Sequence, residues 1–340
     1  MKLVTFEVTT PLGRVSRVGA WLGDSPDYGQ VIDLNAAYAA WLANQGEPYP
    51  QVLANATVPA DMLTFIQYGK RALEGARQAL ADLPEGSEAQ ASIGVDGATL
   101  VFDHSQITLK TPLPNPPMLR DFMAFERHTQ TAWAIRKEPV PEAWYEMPLY
   151  YKGNPTQLIG HNQPVIWPHY SQKLDYEMEW ACIIGTSGTD IPAEDAHKHI
   201  FGYALLNDYS ARDIQGKEMA GRLGPAKGKD FATAIGPWIV TADEVPDPGH
   251  LTIEATVNGE RWSLGRTGET YWPFEKMIAH ASMCETLLPG DVLGSGTISG
   301  SQGQGCGLEL RKWIQPGDVV ALSGGILGQL ANSITSPHNN

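Results

Sequence analysis

The heptapeptide LDYEMEW (174–180) sets Asp175, Glu177 and Glu179 at every second position. As a β-strand it would aim the three carboxylates at one face and Tyr176, Met178 and Trp180 at the other. The segment runs straight into the apolar ACIIG, and carboxylates are costly to bury unless a cation neutralises them. Two readings are open: a solvated acidic face, or oxygen ligands converging on a metal. Asp208 follows about 30 residues on, after the apolar FGYALL. It could supply a third hard oxygen or cap the segment that follows it. An all-oxygen ligand set suits Mg²⁺, Mn²⁺ or Ca²⁺ better than Zn²⁺.

Other chemistry-bearing residues are sparser. Lys229 lies between Gly228 and Asp230, where a loop cation is the plain reading. His197 and His199 resemble a ligand pair by spacing, but on a helix residues two apart point in different directions, so both are read as structural. His104, His161, His169, His250 and His280 belong to no motif. No GxSxG nucleophile elbow occurs, which argues against a serine acyl-enzyme. Cys182, Cys284 and Cys306 are odd in number and lack a CxxC pair, so each is expected to be a buried small apolar residue in a reducing compartment.

The elements that must position these groups are short. The chain has 35 Gly and 25 Pro, a density that favours strands joined by tight turns. Residues 1–32 alternate as a small meander, with a turn at 11–13. An Ala-rich helix is expected over 34–43 and a longer one over 59–83, with a loop at 86–96. LKTPLPNPPML (109–119) carries four Pro and reads as an extended linker, which divides the chain into residues 1–110 and 111–340. Beyond it, PVIW, YEMEWACIIG, AIGPWIVT, LTIEATVN, DVLGSG and DVVALSG read as strands, with helices over 192–200 and 272–287. Pro-Gly-Asp at 289–291 and 316–318 is a turn signature. The fold class is mainly β with flanking helices (α+β).

The formal net charge of −14 argues against nucleic acid or an anionic membrane surface as a partner. The N-terminus lacks the apolar core of a signal peptide, and no apolar run approaches the roughly 20 residues that span a bilayer. The cytoplasm is therefore the expected compartment.

LDYEMEWACIIG, IFGYALLNDYSARDIQ, GKDFATAIGPWIV and GSGTISG, in that order and spacing, resemble the fumarylacetoacetate hydrolase family. Upstream, RDFMAFERH (120–128) is similar to its segment carrying a metal-binding Asp and the catalytic His. The resemblance is specific over 110–335 and implies a fumarylacetoacetase-type mixed β-sandwich roll behind a small N-terminal β-rich domain, assembled as a homodimer. It also implies Asp121, Glu177, Glu179 and Asp208 as ligands of Mg²⁺ (or Ca²⁺ or Mn²⁺), with Thr233 beside the metal. Lys229 would steady developing negative charge, His128 would be the general base, and Glu309 of GLEL would orient it. Gln215, Arg136, Tyr151 and Thr297 fall at substrate-contacting positions. Met123 and Met219 stand where fumarylacetoacetate hydrolase proper carries tyrosines, which implies a more apolar pocket and another diketo acid as substrate.

That residue set implies a hydrolase cleaving a carbon–carbon bond in a diketo acid or acylpyruvate. The cation would act as Lewis acid on a departing enolate while His128 activates water. Family relatives also perform hydration, decarboxylation or keto–enol tautomerisation through the same enolate, and the shared residues do not separate these outcomes. A member that only binds a metabolite is the alternative from another class.

Overall fold

The structure, a computed structural model, describes residues 1–11, 13–84 and 93–336. The turn expected at 11–13 includes Leu12, and the loop expected at 86–96 runs largely through 85–92; these parts lie outside the described residues. Among the described residues, twelve strands form one large sheet, five a second and two a short ribbon, with helices packed outside.

The strand Met178–Ile184 lies near the middle of the large sheet, buried along its whole length. It pairs antiparallel with Ile200–Asp208 on one side and Val292–Gly294 on the other. Its alternation decides what each face buries. Met178, Trp180, Cys182 and Ile184 enter one core, while Ala181 and Ile183 enter the second core, beneath the N-terminal helices. Both faces are therefore covered, as expected of a near-continuous apolar strand. The N-terminal strand Lys2–Thr10 hydrogen-bonds to Thr233–Thr241, so the first strands extend the same sheet that carries the acidic motifs.

The helix expected over 34–43 forms as Leu34–Asn44, capped by Asp33. That expected over 59–83 is broken into Met62–Tyr68 and Lys70–Asp82. Gly69 between them has φ 52°, a left-handed conformation that glycine adopts cheaply and that ends a helix. The expected helix over 192–200 is a 3₁₀ segment, Ala193–His199, and that over 272–287 is only Phe274–Ala281. The LDYEMEW strand is interrupted. Leu174–Asp175 pairs with Ser210–Ala211 as a separate ribbon before Met178–Ile184 begins. Cys182 and Cys306 are buried as expected, but Cys284 is exposed, at φ 52° in a turn. Both Pro-Gly-Asp triplets are turns: Gly290 and Gly317 have φ 93° and 96°. Asp291 and Asp318 each accept the backbone N–H three residues back.

Arg120 ties the strand Leu119–Phe122 to the turn before Val292–Gly294. It is 1% exposed and donates to Asp291, itself 2% exposed, at 3.0 Å, and also to Glu285. Removing one partner of a buried pair strands the other charge, at a cost of about 3–5 kcal/mol. Arg120→Ala is therefore expected to lower unfolding stability by that amount in urea titrations. A loss below about 1 kcal/mol, the scale of a surface pair, would show that Arg120 does not anchor this strand.

Candidate metal centre

Five neighbouring strands bring the acidic motifs to one end of one face of the sheet. Glu179 faces the same side as Ala181 and Ile183 by alternation. The register Met178↔Asn207 sets Glu177 beside Asp208 one step beyond. Asp208 in turn pairs with Thr233, whose hydroxyl donates to Asp208 Oδ1 at 3.2 Å. On the far side, the parallel pairing Gly294↔Asp121 delivers Asp121. Position 294 must be glycine-sized, because a Cβ there would lie 2.4 Å from Asp121 Oδ1. Carboxylate oxygens of Asp121, Glu177, Glu179 and Asp208 all come within 4.8 Å of one another, and all four residues are buried.

The charges in this cluster do not balance. Lys229 ion-pairs with both Glu177 and Asp208. Arg212 reaches Glu177 at 2.7 Å and Asp175 at 2.8 Å. Two cations thus face five buried carboxylates, counting Asp175. Burial pushes the Asp121 carboxyl well up from its ordinary value, and Asp208 adds to this. Burial likewise pushes Glu179 well up, reinforced by Asp121. For Glu177 burial acts in the same sense, but Arg212 and Lys229 outweigh it and hold the carboxyl below its usual range. Burial would lower Lys229, yet Asp208 and Glu177 raise it above a free amine. Among the described residues, Asp121 Oδ1 and Glu179 Oε1 are buried without a hydrogen-bond partner. Two orphaned oxygens, four converging carboxylates and the space kept by Gly294 fit a hard divalent cation.

Beside the cluster lies a cavity of about 300 Å³, the size of a small-molecule site. His128, on the helix Glu126–Arg136, lines it. Its Nδ1 lies 3.2 Å from Glu309 Oε1. The other oxygen of Glu309 accepts from Ser299 Oγ at 2.6 Å and Gly305 N at 2.7 Å. Burial would raise the Glu309 carboxyl, but His128 and these donors pull it below its ordinary value. Such a carboxylate fixes the orientation of its imidazole partner.

The other sequence-predicted residues gather around the same cavity. Asp121, Glu177, Glu179 and Lys229 line it, as do Met123, Arg136, Tyr151, Thr297, Gln215 and Met219. Gln215 and Met219 are one helical turn apart on Arg212–Ala220, hence on one face. Arg136 is exposed at the rim, its guanidinium over Trp133. Tyr151 donates to Asp208 Oδ2 at 2.8 Å. Its phenol is pushed well above the ordinary value by burial and then by Asp208. Asp208, Thr233 and Glu309 stand behind the wall and do not line the cavity. Asp175 parts from the glutamates: it accepts from Arg212 and from the backbone N–H groups of Gly307 and Leu308. The reason is the break in the strand between Asp175 and Met178, which cancels the alternation that would have set it beside Glu177.

Arg212 is the member that sequence reasoning missed. Its signal was a base directly after NDYSA, inside an otherwise acidic motif. Ser299, Gly305 and Gly294 were also missed; the small-residue run GSGTISG hints at Gly294 and Ser299, and Gly305 lies beyond it.

Residues 118–335 match the family model described as fumarylacetoacetate (FAA) hydrolase C-terminal. Among curated proteins, the mitochondrial oxaloacetate tautomerase fahd2 of Xenopus laevis is 30% identical, over 98% of this chain and 90% of that protein. The oxaloacetate tautomerase YisK of Bacillus subtilis (strain 168) is 29% identical, over 82% of this chain and 87% of its own. Among solved structures, fumarylacetoacetate hydrolase of Exiguobacterium antarcticum superposes with a TM-score of 0.68 at 24% identity, covering 98% of this chain and 99% of that one. Maleylpyruvate hydrolase of Sphingobium sp. SYK-6, in complex with manganese(II) and pyruvate, does so at 0.66 and 23%, covering 99% and 100%. These structures share the fold. Both sequence relatives are named tautomerases, whereas the motifs led to an expectation of carbon–carbon hydrolysis. Among the described residues no helix is long and apolar enough to cross a membrane.

A bound ligand stabilises the state that holds it, by about 2.7 kcal/mol at a hundred times its dissociation constant. Saturating Mn²⁺ is accordingly expected to raise the thermal unfolding midpoint of the wild-type chain, while Glu179→Gln removes most of that rise. An equal rise in both proteins would place the Mn²⁺ elsewhere.

Proposed function

The chain belongs to the fumarylacetoacetate hydrolase family, and from that premise we propose that it is a divalent-metal-dependent keto–enol tautomerase of a small dicarboxylic oxo acid of the oxaloacetate type. Asp121, Glu177, Glu179 and Asp208 would hold the cation, with Thr233 and Tyr151 orienting Asp208. When bound, the cation supplies Lewis-acid polarisation of the substrate's keto and carboxylate oxygens.

The observation that carries this reading is the pairing of one fixed base with cations that are already engaged. His128 faces the cavity with Nδ1 held by Glu309, which leaves Nε2 to take a proton from the carbon next to the keto group. Returning that proton to the oxygen, or the reverse, completes the tautomerisation. Hydrolysis asks for more. Water adding to a second carbonyl creates an oxyanion that needs its own donor. Lys229 and Arg212 are each already bound to two carboxylates. Met123 and Met219 present thioethers, which are weak acceptors with no proton to give. Gln215, Thr297 and the rim Arg136 suit the carboxylates of the substrate, since amide, hydroxyl and guanidinium donors bind such groups.

Ketonisation of enol-oxaloacetate, followed by loss of the enol's ultraviolet absorbance, tests this. A wild-type rate that requires Mn²⁺ or Mg²⁺ and vanishes with chelator is expected, with a fall of roughly 10²–10⁴-fold in His128→Ala. Rapid release of pyruvate from an acylpyruvate, without accelerated ketonisation, would reverse the assignment in favour of hydrolysis.

A further inference from the structure

Behind the base lies a second cluster of metal-ligating atoms. Cys306 Sγ, an imidazole nitrogen of His128 and a carboxylate oxygen of Glu309 lie within 4.8 Å of one another. Cys306 is 0% exposed and the Glu309 side chain equally so, whereas His128 reaches the cavity. The tautomerisation uses His128 and Glu309 but gives the thiol no task. We propose that these three side chains form a separate soft-metal site, and that Zn²⁺ bound there through His128 Nδ1 silences the enzyme by keeping a proton on Nε2, the nitrogen that would act as base.

The donor chemistry distinguishes the two sites. The carboxylate cluster offers only oxygen, which suits hard cations, whereas thiolate with imidazole and one carboxylate selects zinc. With the thiol proton released to solvent, Cys306 and Glu309 carry two negative charges and His128 none. A zinc dication is then fully neutralised where solvent cannot reach, the condition under which a buried charge is tolerated. A tetrahedral zinc sets its ligands about 3.5 Å apart. His128 and Glu309 are already 3.2 Å apart, so the cation can replace the shared proton with little movement of that pair. Closing the cluster from its 4.8 Å bound to that spacing takes about 1 Å, within reach of a χ1 adjustment. Ser299 and Gly305 already hold the second oxygen of Glu309, the kind of support that metal-ligating carboxylates receive in zinc sites. His128 is the member of the three that lines the cavity, so the cation would enter past it.

The site itself does not depend on the catalytic reading; only its consequence, loss of the base, rests on the tautomerase proposal. Binding and turnover are therefore read separately. Calorimetric titration of Zn²⁺ into protein saturated with Mg²⁺ is expected to show one tight site in the wild type. Cys306→Ser should weaken it by more than the roughly tenfold to hundredfold that loss of a supporting partner costs. Co²⁺ added to the Mg²⁺-loaded protein should give a thiolate-to-cobalt absorption band in the wild type and in Glu179→Gln, but none in Cys306→Ser or Cys306→Ala. With Mg²⁺ present, Zn²⁺ should depress ketonisation in the wild type far more than in Cys306→Ser, each normalised to its own zinc-free rate. Zinc affinity unchanged by Cys306→Ser, or a cobalt band that survives Cys306→Ala, would overturn the site. A zinc site with the expected binding but no effect on a measurable ketonisation would overturn only the silencing. Absence of ketonisation altogether would count against the tautomerase proposal and leave the binding result standing.

Discussion

Too many carboxylates share too little positive charge at one end of the central sheet, and the rest of the site follows from this. Asp121, Asp175, Glu177, Glu179 and Asp208 are all buried, and Lys229 and Arg212 are the basic side chains among them. A chain that only needed to fold would have replaced such a cluster with apolar residues, since buried ion pairs seldom add net stability. The cluster instead shapes its surroundings. Gly294 keeps a gap for Asp121 and Glu179 to approach, and Gly296 turns its N–H onto Glu179 Oε2 at 2.9 Å. The surrounding strands are covered on both faces, so the cluster is held in a rigid frame.

The division of labour within the cluster is also electrostatic. Glu177 is the carboxylate that both cations share, and they hold it below its usual range. Lys229 gives its ion pairs to Glu177 and Asp208, while Asp121 and Glu179 keep orphaned oxygens. That asymmetry points the unmet demand for charge toward the cavity, where His128 and the substrate's oxygens would meet the cation. On the proposed reading His128 would move a proton next to a polarised carbonyl, and its partner Glu309 is fixed by two donors of its own.

Much of this was legible in the sequence, and the failures have physical causes. Glu177 and Glu179 could be paired from alternation alone, and Asp208 from its place at the end of an apolar strand. Asp121 could not be joined to them by any local pattern, because a parallel pairing across 173 residues brings it in through Gly294; only the family resemblance placed it. Asp175 misled, since alternation presumes an unbroken strand and the chain switches ribbon after it. The helix over 59–83 was overextended because one glycine in a helical pattern carries no sign of whether it will turn left-handed. Arg212 was overlooked because a base among acids reads as a surface pair until burial is known. The choice between hydrolysis and tautomerisation lay beyond the motif, as both would use the same cation and the same base.

The most direct test of the central claim is a crystal structure of the protein grown with Mn²⁺, with anomalous difference density collected at a wavelength where manganese scatters strongly. One peak in contact with oxygens of Asp121, Glu177, Glu179 and Asp208 is the predicted result. Strong manganese density elsewhere, with the four carboxylates undisturbed and bridged by protons alone, would contradict it.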